Sequence, residues 1–159
     1  MNKSALINEI VAHLEGELEV CFRAAKAAHS AVTDDCSKAE SKIDARGLEA
    51  SFLAQGQSKQ AAELQAAIVD FKNLEPRTFS NSDPIGIGAY VELETRGERM
   101  SYFLGPRAGG TEVQHEDQEV LVITPQSPLG AQLQGKKQGD HLNLAVAGSR
   151  DEYRVVGVE

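Results

Sequence analysis

From Ile7 the apolar residues step by four and three without a fault, through Val11, Leu14, Leu18, Cys21, Ala25, Ala28 and Val32. A repeat every 3.5 residues is the period of two helices wound around each other. A second, less regular seam runs through Ile43, Ala50, Ala54, Gln57, Ala61, Leu64, Ile68 and Phe71. Folding one seam onto the other pairs Ile7 with Phe71, Val11 with Ile68, Leu14 with Leu64 and Ala28 with Ala50, and each pair of numbers sums to 78 or 79. That constancy predicts an antiparallel hairpin whose tip centres near residue 39. Large seam residues fill its base, whereas the far half is mostly Ala and Cys, so the helices should approach closely there and end in a slender finger. A helix of about 30 residues would be roughly 45 Å long. The same pattern also suits a plain coiled-coil dimerisation element.

The tip has two readings. Ser37-Lys38-Ala39-Glu40 has the form of a capping box that would start the second helix at Lys38. In the other, Asp44 caps a later helix and residues 33–45 form a long loop.

Beyond Phe71 the helical period stops. Asn73-Leu74-Glu75-Pro76 ends the helix, because proline disfavours helical backbone in the residue before it. Residues 76–84 carry turn chemistry and read as a linker between a hairpin at 1–75 and a second domain at 85–159. In that domain the period becomes two. Tyr90–Glu94 alternates up to a turn at Arg96-Gly97, and Ser101–Leu104 follows. Glu119–Thr124, His141–Val146 and Tyr153–Val158 complete about five strands, with Gly148-Ser149-Arg150-Asp151 as the turn of the last hairpin. One short helix interrupts them. Ser127 suits the N-cap, Pro128 the first helical position and Gly135 the terminus, with Leu129 and Leu133 on the buried side. Asp140 serves the turn after Gly139. The fold class is therefore α+β: an N-terminal antiparallel helical hairpin, then a small antiparallel β domain with one short helix.

The formal charge is −8, and residues 1–75 and 76–159 each hold 8 Lys and Arg against 12 Asp and Glu. Direct nucleic-acid binders show a basic face that neutralises phosphates. None is present, so any link to nucleic acid should pass through a protein partner. No apolar run is long enough to cross a membrane, and the acids Glu9, Glu15 and Glu17 interrupt any signal-peptide pattern, so the expectation is a cytoplasmic protein. Cys21 and Cys36 match neither disulfide nor zinc spacing. The four histidines are scattered, and His115-Glu116-Asp117 reads as a solvated loop. With aromatics at 5% and no Trp, the β domain lacks the makings of an aromatic-lined isomerase pocket.

The run Ser127-Pro128-Leu129, Leu133, Gly135-Lys136, Gly139-Asp140 resembles the C-terminal motif of the bacterial Gre-type transcript elongation and cleavage factors. The strands around Val122-Ile123-Thr124 and Glu152–Val156 match as well, and the resemblance in organisation covers the whole chain. It implies an FKBP-like second domain that docks on the rim of the RNA polymerase secondary channel, with the hairpin entering to bring its tip beside the catalytic magnesium. In that family two tip acids help hold a second Mg²⁺ and a water, so that the polymerase hydrolyses backtracked RNA. The factor itself is then no enzyme. Carried onto this chain, the tip acids are Asp34 and Asp35, which would share the Mg²⁺, with Glu40 and Asp44 behind them. Ser127, Pro128 and Gly139 would shape the docking surface. The chain departs from the family at the tip: Gly-Asp-Leu-Ser-Glu-Asn is absent, and Lys38, Lys42 and Arg46 offset most of the acids. The alternative implied is a non-cleaving regulator that occupies the same channel.

Overall fold

The computed structural model describes residues 2–38, 45–146 and 148–159, with side chains for 2–27, 59–145, 148 and 150–159. Helix α1 spans Lys3–Lys38 and α2 spans Ala45–Lys72. Contacts gather the chain into two compact units, Ala12–Ile68 and the combination of Met1–Val11 with Val69–Glu159. The start of α1 thus groups with the end of α2, so the two helices run antiparallel as a hairpin. Ile7, Val11, Leu14, Cys21, Ala61, Ile68 and Phe71 of the two seams are buried.

Lys38 is the last residue of α1, so it does not begin the second helix, and 33–38 are helical instead of part of a long loop. The second helix begins immediately after Asp44, which itself lies outside the described residues.

The second unit is built on a six-stranded sheet in the order β3-β4-β2-β1-β6-β5. Its strands are β1 (Tyr90–Thr95), β2 (Glu98–Leu104), β3 (Glu112–His115), β4 (Gln118–Ile123), β5 (His141–Val146) and β6 (Ser149–Val158), with α3 (Pro128–Leu133) between β4 and β5. Three features correct the sequence reading. The strand β3 was missed. And the sheet is not wholly antiparallel, because β2 and β4 pair in parallel, Phe103 opposite Val122. The cause is the path after β2: the chain crosses to the outside, forms the β3–β4 hairpin, and returns β4 between β3 and β2. The last hairpin is also tighter than expected, with Val146 opposite Ser149 and residues 149–151 already in β6.

Alternation along the strands gives the sheet two apolar faces. On one, Val91, Leu93, Tyr102, Leu104, Ile123, Leu142, Leu144, Tyr153 and Val155 join Leu133 of α3 in the main core. The partners Tyr90 and Phe103, with Val120, Val122 and Val113, fall on the opposite face. The bases of α1 and α2 meet that side.

Candidate functional site

The end of the hairpin is where the family resemblance puts chemistry. Asp34 and Asp35 are successive residues of α1. Successive helix positions lie about 100° apart around the axis and do not face each other, whereas residues four apart share a face. The side chains of Asp34, Asp35 and Lys38 lie outside the described ones. Glu40 and Asp44 lie outside the described residues. Among the described residues no group of three or more His, Cys, Asp or Glu is arranged to hold a metal ion.

The anchor of the hairpin is built in detail. Leu6, Ile10 and Phe71 are wholly buried. Leu6 and Ile10 lie off the 3.5-residue seam; they give the base of α1 a second apolar face. Phe71 packs on Phe103 of β2 with ring centroids 6.2 Å apart. It also lies against Gly105, where a Cβ would come within 2.6 Å of the ring. Only glycine leaves room for that approach.

Polar contacts complete the anchor. Glu9 of α1 reaches His115 of β3, with Oε2 2.7 Å from Nδ1. Asp70 of α2 accepts from Nε of Arg107 at 2.5 Å. Lys3 donates to the carbonyl of Arg77 and lies 4.6 Å from the centre of the Phe79 ring, which the Arg77 guanidinium approaches at 5.0 Å. Burial lowers the Lys3 pKa to about 8, the nearby Glu159 opposing and Arg77 adding to the shift.

His115 is 4% exposed, which overturns its reading as part of a solvated loop. Its Nε2 is buried without a hydrogen-bond partner. The alternation Val113, His115 before a turn was the signal that could have found it.

The third element is α3 and its flanking loops. The Ser127 hydroxyl accepts from the Gly130 amide at 3.0 Å and donates to the Thr124 carbonyl at 2.7 Å. Pro128 follows at the start of the helix and is exposed. Gly130 is a residue that sequence reasoning missed: a Cβ there would sit 1.9 Å from the Thr124 carbonyl oxygen. Gly139 has φ +91° and donates its amide to Val155, and the Asp140 carboxylate accepts from the Lys137 amide at 2.9 Å. Ser127 and Gly139 are thus engaged in holding the fold, while Pro128 and Gly139 are both exposed. Beside them the backbone of Ile85 pairs with Gly135 and Lys136, and Ile87 is 44% exposed.

No family model matches the chain. Over 155 residues it is 26% identical to the Transcription inhibitor protein Gfh1 of Thermus aquaticus, covering 94% of this chain and 89% of that protein. The corresponding protein of Thermus thermophilus is 27% identical, with coverages of 94% and 90%. Over nearly its whole length this chain is similar to the Gfh1 proteins. Among solved structures, GreA factor homolog 1 (Gfh1) of Thermus thermophilus is similar at 24% identity, 94% of each chain and a TM-score of 0.40. Gfh1 of Thermus aquaticus stands at 27%, 91% and 90% coverage and 0.41. The elongation factor GreA/GreB of Nitrosomonas europaea stands at 23%, 65% and 78% coverage and 0.37.

Proposed function

We propose that the chain is a transcription factor that inserts its helical hairpin into the secondary channel of RNA polymerase and regulates the enzyme by occupancy, without stimulating RNA cleavage. The observation that carries this reading is the relation, over nearly the full length of both chains, to two proteins named as transcription inhibitors. The end of the hairpin supports it. Asp34 and Asp35 occupy successive helical positions, and Lys38, Lys42 and Arg46 offset the acids of this segment. On this reading the protein is a polymerase-binding factor and not an enzyme, it reaches nucleic acid only through the polymerase, and it works in the cytoplasm. Among the described residues no helix is long and apolar enough to cross a membrane.

On this reading the globular part docks on the polymerase and the hairpin occupies the channel. Co-sedimentation with core RNA polymerase tests the reading. A complex is expected that slows nucleotide addition when substrate is limiting; a chain that sediments alone would refute it.

A further inference from the structure

His115 carries a buried nitrogen that the fold leaves unused. Its side chain is 4% exposed, and Nε2 has no hydrogen-bond partner. Such an atom has lost water without a replacement, so it calls for a physical reason, and an ion is one. The other ring nitrogen fixes the form of the imidazole. Glu9 Oε2 lies 2.7 Å from Nδ1, and a carboxylate only accepts, so the proton stands on Nδ1. Nε2 of the neutral ring then presents a lone pair. Glu116 Oε1 is 3.7 Å from it.

The spacing tells which cation suits the gap. A proton shared between nitrogen and oxygen draws them to about 2.7–3.2 Å, so 3.7 Å is too wide for a hydrogen bond. A zinc-type ion sits about 2.0–2.1 Å from a histidine nitrogen and about 2.0–2.2 Å from a carboxylate oxygen. Those bonds set the two donor atoms roughly 3.4 Å apart at a tetrahedral angle and roughly 4.2 Å apart in line. The observed separation falls between the two.

We propose that His115 Nε2 and Glu116 bind a divalent transition-metal ion of the zinc type at the turn between β3 and β4, with Glu9 supporting the histidine from behind. A metal-bound histidine ordinarily donates its second N–H to a carboxylate, which fixes the ring and raises its basicity. Glu9 already makes that bond. Imidazole with carboxylate suits zinc-like ions better than magnesium. Among the described residues no third His, Cys, Asp or Glu joins the pair, so water completes the coordination and the ion exchanges freely. The Glu116 side chain is 63% exposed, which gives the ion its way in. Glu9, His115 and Glu116 belong to one compact unit, and through the imidazole the ion ties the β3–β4 turn to α1. The site is separate from the hairpin tip and does not depend on the polymerase reading.

Isothermal titration of the full chain with zinc chloride tests this, in a Cys21→Ala, Cys36→Ala background that removes competing thiols. One equivalent should bind with a micromolar Kd, raise the melting temperature and shift the His115 Nε2 resonance in imidazole nitrogen spectra. Glu116→Gln, at a mostly exposed position, should leave the metal-free melting temperature unchanged and weaken binding at least about tenfold. Glu9→Ala should weaken it by about 10–100-fold. His13→Ala removes the exposed His13–Glu17 pair of α1 and should change nothing. Binding no tighter than millimolar, binding undiminished in the Glu9 or Glu116 variant, or binding lost on His13→Ala would mean an adventitious ion only and overturn the proposal. So would a zinc-loaded protein whose His115 Nε2 resonance does not move.

Discussion

Glu9 and His115 are 106 residues apart in sequence, and their side chains meet at 2.7 Å. The contact ties the first turns of α1 to the edge strand β3, so that one end of the hairpin is held to the sheet by a polar link as well as by Leu6, Ile10 and Phe71. The two partners are unequal: the His115 side chain is 4% exposed and that of Glu9 43%.

That inequality predicts unequal mutants. His115→Ala removes a buried ring and should lower unfolding stability by about 1–3 kcal/mol. Glu9→Gln keeps a hydrogen-bonding group at a half-exposed position and should cost less than about 1 kcal/mol. Urea denaturation of the two variants measures the difference. Equal effects would mean that the link acts as a surface ion pair.

Two glycines should respond in opposite directions to alanine. At Gly130 the new methyl would collide with the Thr124 carbonyl, and backbone must move to admit it. Gly130→Ala should destabilise by about 2 kcal/mol or more and displace the α3 cap. Gly16 is inside α1 with nothing within 4 Å of its added Cβ. Gly16→Ala should therefore stabilise, by up to about 1 kcal/mol. Thermal melts of both variants beside the parent protein give the signs directly.

Lys3 makes stability depend on alkaline pH. Its pKa is about 8 in the fold against 10.5 for an ordinary lysine, and burial is the main cause. Below about pH 8 both states carry the proton, and the fold bears the cost of a buried ammonium. Between about 8 and 10.5 the unfolded chain holds more protons, so this group's contribution to stability rises with pH. Lys3→Met should flatten that rise. The comparison is urea stability of the two proteins across the window, and a parallel pH dependence would contradict the assignment.

The turns explain how much of the fold could be read in the sequence. Arg96 and Gly97 both have positive φ, as a two-residue hairpin loop requires, and the glycine made that turn legible. Glu116 and Asp117 adopt the same positive φ values, 48° and 65°, without a glycine. The hairpin they close was therefore missed, and with it β3 and the burial of His115. The α3 cap was legible because Ser127, Pro128 and Gly135 each occupy a position with its own chemistry. The requirement for Gly130 was not, because it arises from Thr124, brought close only by the fold. In the hairpin, the seam marked Ile7, Val11, Leu14, Cys21, Ile68 and Phe71, while Leu6 and Ile10 escaped it. A 3.5-residue repeat describes one helix face meeting one partner, and the base of α1 has two.

On the proposed function, the hairpin occupies the polymerase without promoting hydrolysis of RNA. The most direct measurement is the length of radiolabelled transcript in purified backtracked elongation complexes given this protein and Mg²⁺. The transcript should keep its length while the protein remains bound to the complex. Appearance of shortened RNA that is lost on replacing Asp34 and Asp35 together by alanine would contradict the claim and restore the tip acids to a catalytic role.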